Sequence, residues 1–126
     1  MQLEDANSSR MGINMKEHII CKEDALTRLG GNENTFKILL KKFTGNPYFH
    51  DLERALAKDS LNLVQAEQAA HALKGVAGNL SLSALYDVTT ALNKDLKEQI
   101  DYTENYTKLK NIYALTMEEI NSYIAD

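Results

Sequence analysis

An all-α fold, an antiparallel four-helix bundle with additional short helices at its N-terminal end, is what the 126 residues predict. Three observations carry this. Apolar residues recur at spacings of three and four through most of the chain, the period of a helix face. No stretch alternates with a period of two over the length of a strand, and no Asn-Gly or Asp-Gly pair marks a hairpin. Between the periodic segments stand Gly30-Gly31, Gly45-Asn46-Pro47 and Lys58-Asp59-Ser60, which end helices and leave only short turns of the kind that join bundle helices.

Taken in order, residues 1–15 are polar and lack periodicity, with Asn7, Ser8, Ser9 and Gly12 interrupting any pattern; they read as a flexible leader or linker, and residues 16–126 as the bundle domain. A short helix is expected from Ile19 to Leu29, stopped by Gly30-Gly31. Asn32 is placed to cap a second helix, with Phe36, Leu39, Leu40 and Phe43 inward and Lys37, Lys41 and Lys42 outward. Asn46-Pro47 reads as the N-cap and first-turn proline of a third, whose Phe49, Leu52, Ala55 and Leu56 face the core. Asn62, with Gln65 three residues on, resembles a capping box for a helix running from Leu63 to Asn79. Ser81 or Ser83 then caps the next, whose apolar stripe is Leu85, Val88, Leu92 and Leu96 and whose end lies near Ile100. Asp101 or Thr103 opens a long last helix, in which Tyr106, Leu109, Thr116, Ile120 and Tyr123 recur at helical spacing to the C-terminus. The few residues after Asn79 make the two central helices antiparallel neighbours.

Bulk properties exclude several function classes. A content of 44% hydrophobic and 25% charged residues is ordinary for one globular domain. A formal net charge of −4 gives no basic field to hold nucleic acid, so nucleic acid is not expected as a partner. The single Cys21 cannot form an internal disulfide, and three scattered histidines with one cysteine lack a zinc-ligand spacing. No apolar run approaches the roughly 20 residues that span a bilayer, so direct membrane insertion is not expected. The expected location is the cytoplasm, whether the chain is free-standing or part of a membrane-anchored protein.

The rest of the sequence is organised around residues 70–80. At about 100° per residue, His71, Lys74, Gly75 and Gly78 fall on one side of a helix and Ala69, Leu73, Val76, Ala77 and Leu80 on the other. Two glycines inside a helix each cost roughly 1 kcal/mol relative to alanine, so their bareness must serve something. They leave the imidazole above flat backbone that a partner's surface can approach. Lys74, one turn from His71, brings a positive charge to the same opening, which suits a phosphoryl group on a ring nitrogen. Val64 projects on the same side as an apolar contact for a partner. Plainer readings stand beside these: Gly78 as a helix-packing contact, Lys74 as a solvated charge, Val64 as a half-buried residue near a helix start. His18 and His50 read as solvated surface residues.

His71-Ala72-Leu73-Lys74-Gly75, followed by Ala77 and Leu80, resembles the H-x-L-K-G signature of histidine-containing phosphotransfer (HPt) domains. Residues 25–31, Leu39, Leu40 and Phe43 upstream, and Leu85 and Leu92 downstream, are similar to the same family, so the resemblance spans roughly residues 20 to 100. It implies a phosphorelay carrier: His71 as phosphoacceptor, Lys74 screening phosphoryl charge, and Gly75, Gly78 and Val64 as the docking face. The family commonly has glutamate or glutamine at the position of Asn93, accepting a hydrogen bond from Nδ1–H and leaving Nε2 as the nucleophile. Asn93 is shorter than glutamine by one methylene, and as a plain surface amide it would have no such role. Ser81 departs from a glycine common in the family, with Asn79 expected to take the left-handed conformation instead.

The resemblance further implies response-regulator receiver domains as partners, either free or with a covalently linked sensor histidine kinase; a monomer is the simpler default for the chain's own state. It implies no cofactor on this chain and a divalent metal in the receiver, whose catalysis makes this chain a carrier more than an enzyme. The alternative is a helical adaptor that binds receiver or kinase domains without accepting phosphate. A metal-dependent catalytic bundle is disfavoured, because its Glu-x-x-His pairs are missing.

Overall fold

In a computed structural model, which describes residues 18–125, the chain is an all-α bundle, as its periodicity predicts, with no strand among the described residues. The expected leader, residues 1–15, lies outside the described residues. In order, the helices are α1 (Lys22–Arg28), α2 (Glu33–Phe43), α3 (Tyr48–Ala55), a 3-10 turn at Lys58–Ser60, α4 (Leu63–Asn79), α5 (Ser83–Glu98) and α6 (Thr103–Ala125).

Side-chain caps start most of these helices. Asn32 Oδ1 accepts from the Thr35 N–H, and Asn62 Oδ1 from the Gln65 N–H, each at 3.0 Å. Asn46 Oδ1 accepts from the N–H groups of Tyr48 and Phe49, so it caps α3 as expected, although the regular helix begins only at Tyr48. Asp101 Oδ1 accepts from the Thr103 N–H at the head of α6. The start of α5 differs from expectation: Leu82 stands at its N-cap, and neither Ser81 nor Ser83 caps it.

Three helices end in the same way, on a left-handed residue. After α1, Gly30 at φ 67° sends its N–H to Thr27 O, and Gly31 sends its own to Leu26 O. After α4, Ser81 at φ 57° donates to Gly78 O and Leu82 to Ala77 O; after α5, Gln99 at φ 56° donates to Leu96 O and Ile100 to Asp95 O. Each is the paired 5→2 and 6→1 arrangement that satisfies the last helical carbonyls. Ser81, not Asn79, therefore takes the left-handed conformation. The motif places that residue just beyond the cap residue Leu80, and it lets Leu82 pack as a fully buried side chain.

The bundle closes as a ring. One flank of α4 packs on α3 and the other on α5, α5 packs on α6, and α6 packs on α2. The helices α2 and α3, separated by the break at residues 45–47, together form the fourth side. Phe36 and Leu40, Leu52, Leu73, Leu85 and Leu92, and Leu109 and Ile120 bring fully buried side chains from every side of this ring. At the break, Tyr113 of α6 lies flat on Phe49, with ring centroids 3.9 Å apart, and its hydroxyl accepts from Asn46 Nδ2. Ahead of α1, Ile19 and Ile20 are buried in the same core, and the Cys21 N–H donates to Ser81 O at 2.9 Å. The N-terminal helix is thereby fastened against the α4–α5 turn.

Candidate functional site

The buried face of α4 consists of Leu73 and four alanines, Ala66, Ala69, Ala70 and Ala77, whose small side chains suit close packing on α3 and α5. This leaves His71 exposed on the opposite side, with Lys74 half-buried one turn on. Two turns before His71, Val64 is 67% exposed, and Leu61 and Leu63 beside it are also exposed, so the strip ahead of the histidine is apolar.

The two glycines of this face have different surroundings. A Cβ built on Gly75 would meet nothing within 4 Å, so no neighbour inside the fold requires glycine there. A Cβ on Gly78 would come 3.1 Å from two ring atoms of Tyr86 on α5. Gly75 is the open floor beside His71. Gly78 is the seat of an aromatic ring, the packing contact that its plainer reading anticipated.

Asn93 is buried, and α5 carries it to the flank of α4, as the antiparallel pairing predicts. Its Nδ2 donates to the backbone carbonyl of Glu67 at 3.2 Å, one turn before His71. The amide nitrogen is thus tied to the α4 backbone, and no hydrogen bond joins the side chain to the imidazole among the described residues.

Sequence reasoning missed the side chains that α1 contributes. Arg28 Nη1 donates to Gly78 O at 3.0 Å, and Arg28 Nε lies 3.3 Å from Asp24 Oδ2. Ser81 Oγ donates to the same Asp24 oxygen at 2.6 Å. A serine held at positive φ is thus secured by a charge-assisted hydrogen bond, while its carbonyl takes the Cys21 N–H. The i,i+4 spacing of Asp24 and Arg28 was visible in the sequence, but nothing local indicated that both would meet the end of α4. With Lys74, Gly75, Gly78, Tyr86 and Asp87, these residues line an open groove next to the histidine face. His18, read as a solvated residue, lies with Nε2 3.5 Å from Asp87.

Among the described residues, no group of three or more histidine, cysteine or carboxylate side chains is gathered closely enough to hold a metal ion. No helix there is long and apolar enough to cross a membrane.

Fold and site together describe a helical bundle that presents one histidine on an open helix face. The family model of the Hpt domain matches residues 44–118, more than half of the chain, and the chain belongs to that family of phosphorelay histidine-phosphotransfer domains. The matched stretch contains α3, α4, α5 and most of α6, and with them His71 and Asn93. It begins after α2, so the similarity noted at residues 25–43 falls outside it. Comparison with curated proteins and with solved structures gave no match.

Proposed function

We propose that the chain is a phosphorelay intermediate, which accepts a phosphoryl group on His71 from a receiver-domain phosphoaspartate and passes it to another receiver. The observation that carries this reading is the exposed imidazole beside Gly75, whose Cα faces open space, with Lys74 one turn away. A receiver seated on that bare backbone brings its acyl phosphate to Nε2 without a side chain in between. The Nε2 lone pair attacks phosphorus as the P–O bond to the aspartyl oxygen breaks; the electron pair leaves with the carboxylate, and the Nδ1 proton stays on the ring. Lys74 offsets charge on the equatorial phosphoryl oxygens. Transfer to a second receiver runs the same step in reverse.

In this reading a divalent cation belongs to the receiver, the chain acts as carrier rather than catalyst, and the exchange takes place in the cytoplasm between one copy of the chain and one receiver at a time. Asn93 supports the histidine by holding the turn of α4 that precedes it. The test is the site of attachment: phosphorus–nitrogen coupling by NMR on the loaded chain should place phosphorus on Nε2 of His71. Phosphorus on Nδ1, or on another residue, would contradict it.

A further inference from the structure

The side of α4 that bears His71 is polarised along its length. Ahead of the histidine lie exposed Leu61, Leu63 and Val64. Beyond it, Gly78 stands on the same side two turns on, about 10 Å along the axis at 1.5 Å per residue. There the Tyr86 ring covers the glycine and the Arg28 guanidinium is bonded to the glycine's carbonyl.

Arg28 is suited to more than capping α4. Guanidinium has five N–H donors, of which one goes to Gly78 O and another faces Asp24, while the side chain is 53% exposed. Those two contacts hold the planar fork in place, so little side-chain entropy remains to be lost when a partner binds. The acidic groups of the same groove are already engaged, Asp24 by Arg28 and Ser81, and Asp87 by His18. Arg28 and Lys74 are the cationic side chains of this groove, and Arg28 keeps N–H donors that neither the Gly78 carbonyl nor Asp24 takes up.

Resting on the phosphocarrier reading above, we propose that Arg28 is a specificity-determining contact: it pairs with an acidic side chain that a cognate receiver carries about 10 Å from its phosphoaspartate. With the apolar strip at the other end, this contact sets the one orientation in which the receiver lies along α4. Arg28 is too far from phosphorus to take part in the transfer, so it governs how tightly the receiver docks and not how fast the docked complex reacts.

The experiment is single-turnover transfer from a phosphorylated receiver over a range of receiver concentrations, for the unaltered chain, Arg28→Glu and Arg28→Gln. Glutamine removes the charge while keeping a polar side chain, although its amide nitrogen reaches only as far as Nε and gives up the Nη1 bond to the Gly78 carbonyl. The half-saturating concentration should rise about five- to tenfold for glutamate and about two- to fivefold for glutamine, with the maximal rate within about twofold of the unaltered chain and a weaker salt dependence. Reversing the facing acidic residue of the receiver to lysine should recover transfer to Arg28→Glu. Unchanged half-saturation in both variants would overturn the proposal while leaving the carrier reading standing. So would a lower maximal rate that follows lost helicity, which would make Arg28 a cap only. An unaltered chain that accepts no phosphoryl group would overturn both.

Discussion

Tyr86 lies over Gly78 so closely that a single added carbon would stand 3.1 Å from its ring, whereas Gly75, one turn nearer the histidine, faces open space. Alanine at Gly75 should therefore stabilise the fold by about 1 kcal/mol, the helix-propensity gain at an exposed interior position. Alanine at Gly78 must displace the ring and should gain less than half of that. Urea denaturation of the two variants measures the difference. Gly75→Ala should at the same time slow phosphoryl transfer, because its methyl group enters the space kept for the partner.

Ser81 and Asp24 provide a second test. Ser81→Ala keeps the left-handed strain and loses the charge-assisted hydrogen bond, so it should destabilise by about 1–2 kcal/mol. Ser81→Gly loses the same bond but removes roughly 1 kcal/mol of strain, and should be destabilised by no more than about 1 kcal/mol, less than Ser81→Ala by about that amount. Thermal unfolding of both variants checks this, with Asp24→Ala expected to cost at least as much as Ser81→Ala because it also removes the ion pair with Arg28.

Asn93 should behave as a helix-to-helix tie. Asn93→Ala leaves the Glu67 carbonyl with one donor fewer and opens a small void, costing about 1–2 kcal/mol in chemical denaturation. A variant that lost transfer completely at unchanged stability would show instead that the amide acts on the imidazole directly.

Stability at alkaline pH turns on Tyr123. Its hydroxyl donates to Glu33 Oε2 at 2.7 Å, with Lys22 and Lys37 over the ring. Burial first, and then the Glu33 carboxylate, push its pKa up to about 12. Because the folded value is raised above the ordinary phenol value of about 10, the stabilisation is complete below pH ~10 and is lost as pH rises through about 12. Tyr123→Phe should cost about 1 kcal/mol at neutral pH and flatten the decline between pH ~10 and ~12. Some slope should remain, since burial also raises Tyr106 and Tyr113. Urea midpoints across that range give the comparison.

Most of the helices and their limits could be read from the sequence because their determinants are local; the start of α1, expected at Ile19 and found at Lys22, and the uncapped start of α5 are exceptions. Asn32 and Asn62 bond to N–H groups three residues on, and Gly30 ends α1 through its own backbone conformation. The histidine face was legible for the same reason, since His71, Lys74 and Gly75 lie within two turns of one helix. What could not be read depends on how separate helices meet. The register of α5 on α4 puts Tyr86 on Gly78 and turns the Asn93 amide to Glu67, and the docking of α1 brings Asp24 to Ser81 and Arg28 to Gly78. Helix wheels give faces, not partners: they put Asn93 on the α4 side of α5 but not its amide nitrogen on the Glu67 carbonyl.

The central claim is that His71 carries the phosphoryl group, and the most direct measurement is label transfer from a phosphorylated receiver to the unaltered chain and to His71→Gln. Several receivers should be tried, and each adduct treated with acid and with base. The account predicts label on the unaltered chain alone, lost in acid and retained in base, as a phosphoramidate behaves. Stable binding of the receiver with no transfer to either chain would contradict it, and would make the bundle an adaptor that holds receivers without taking their phosphate.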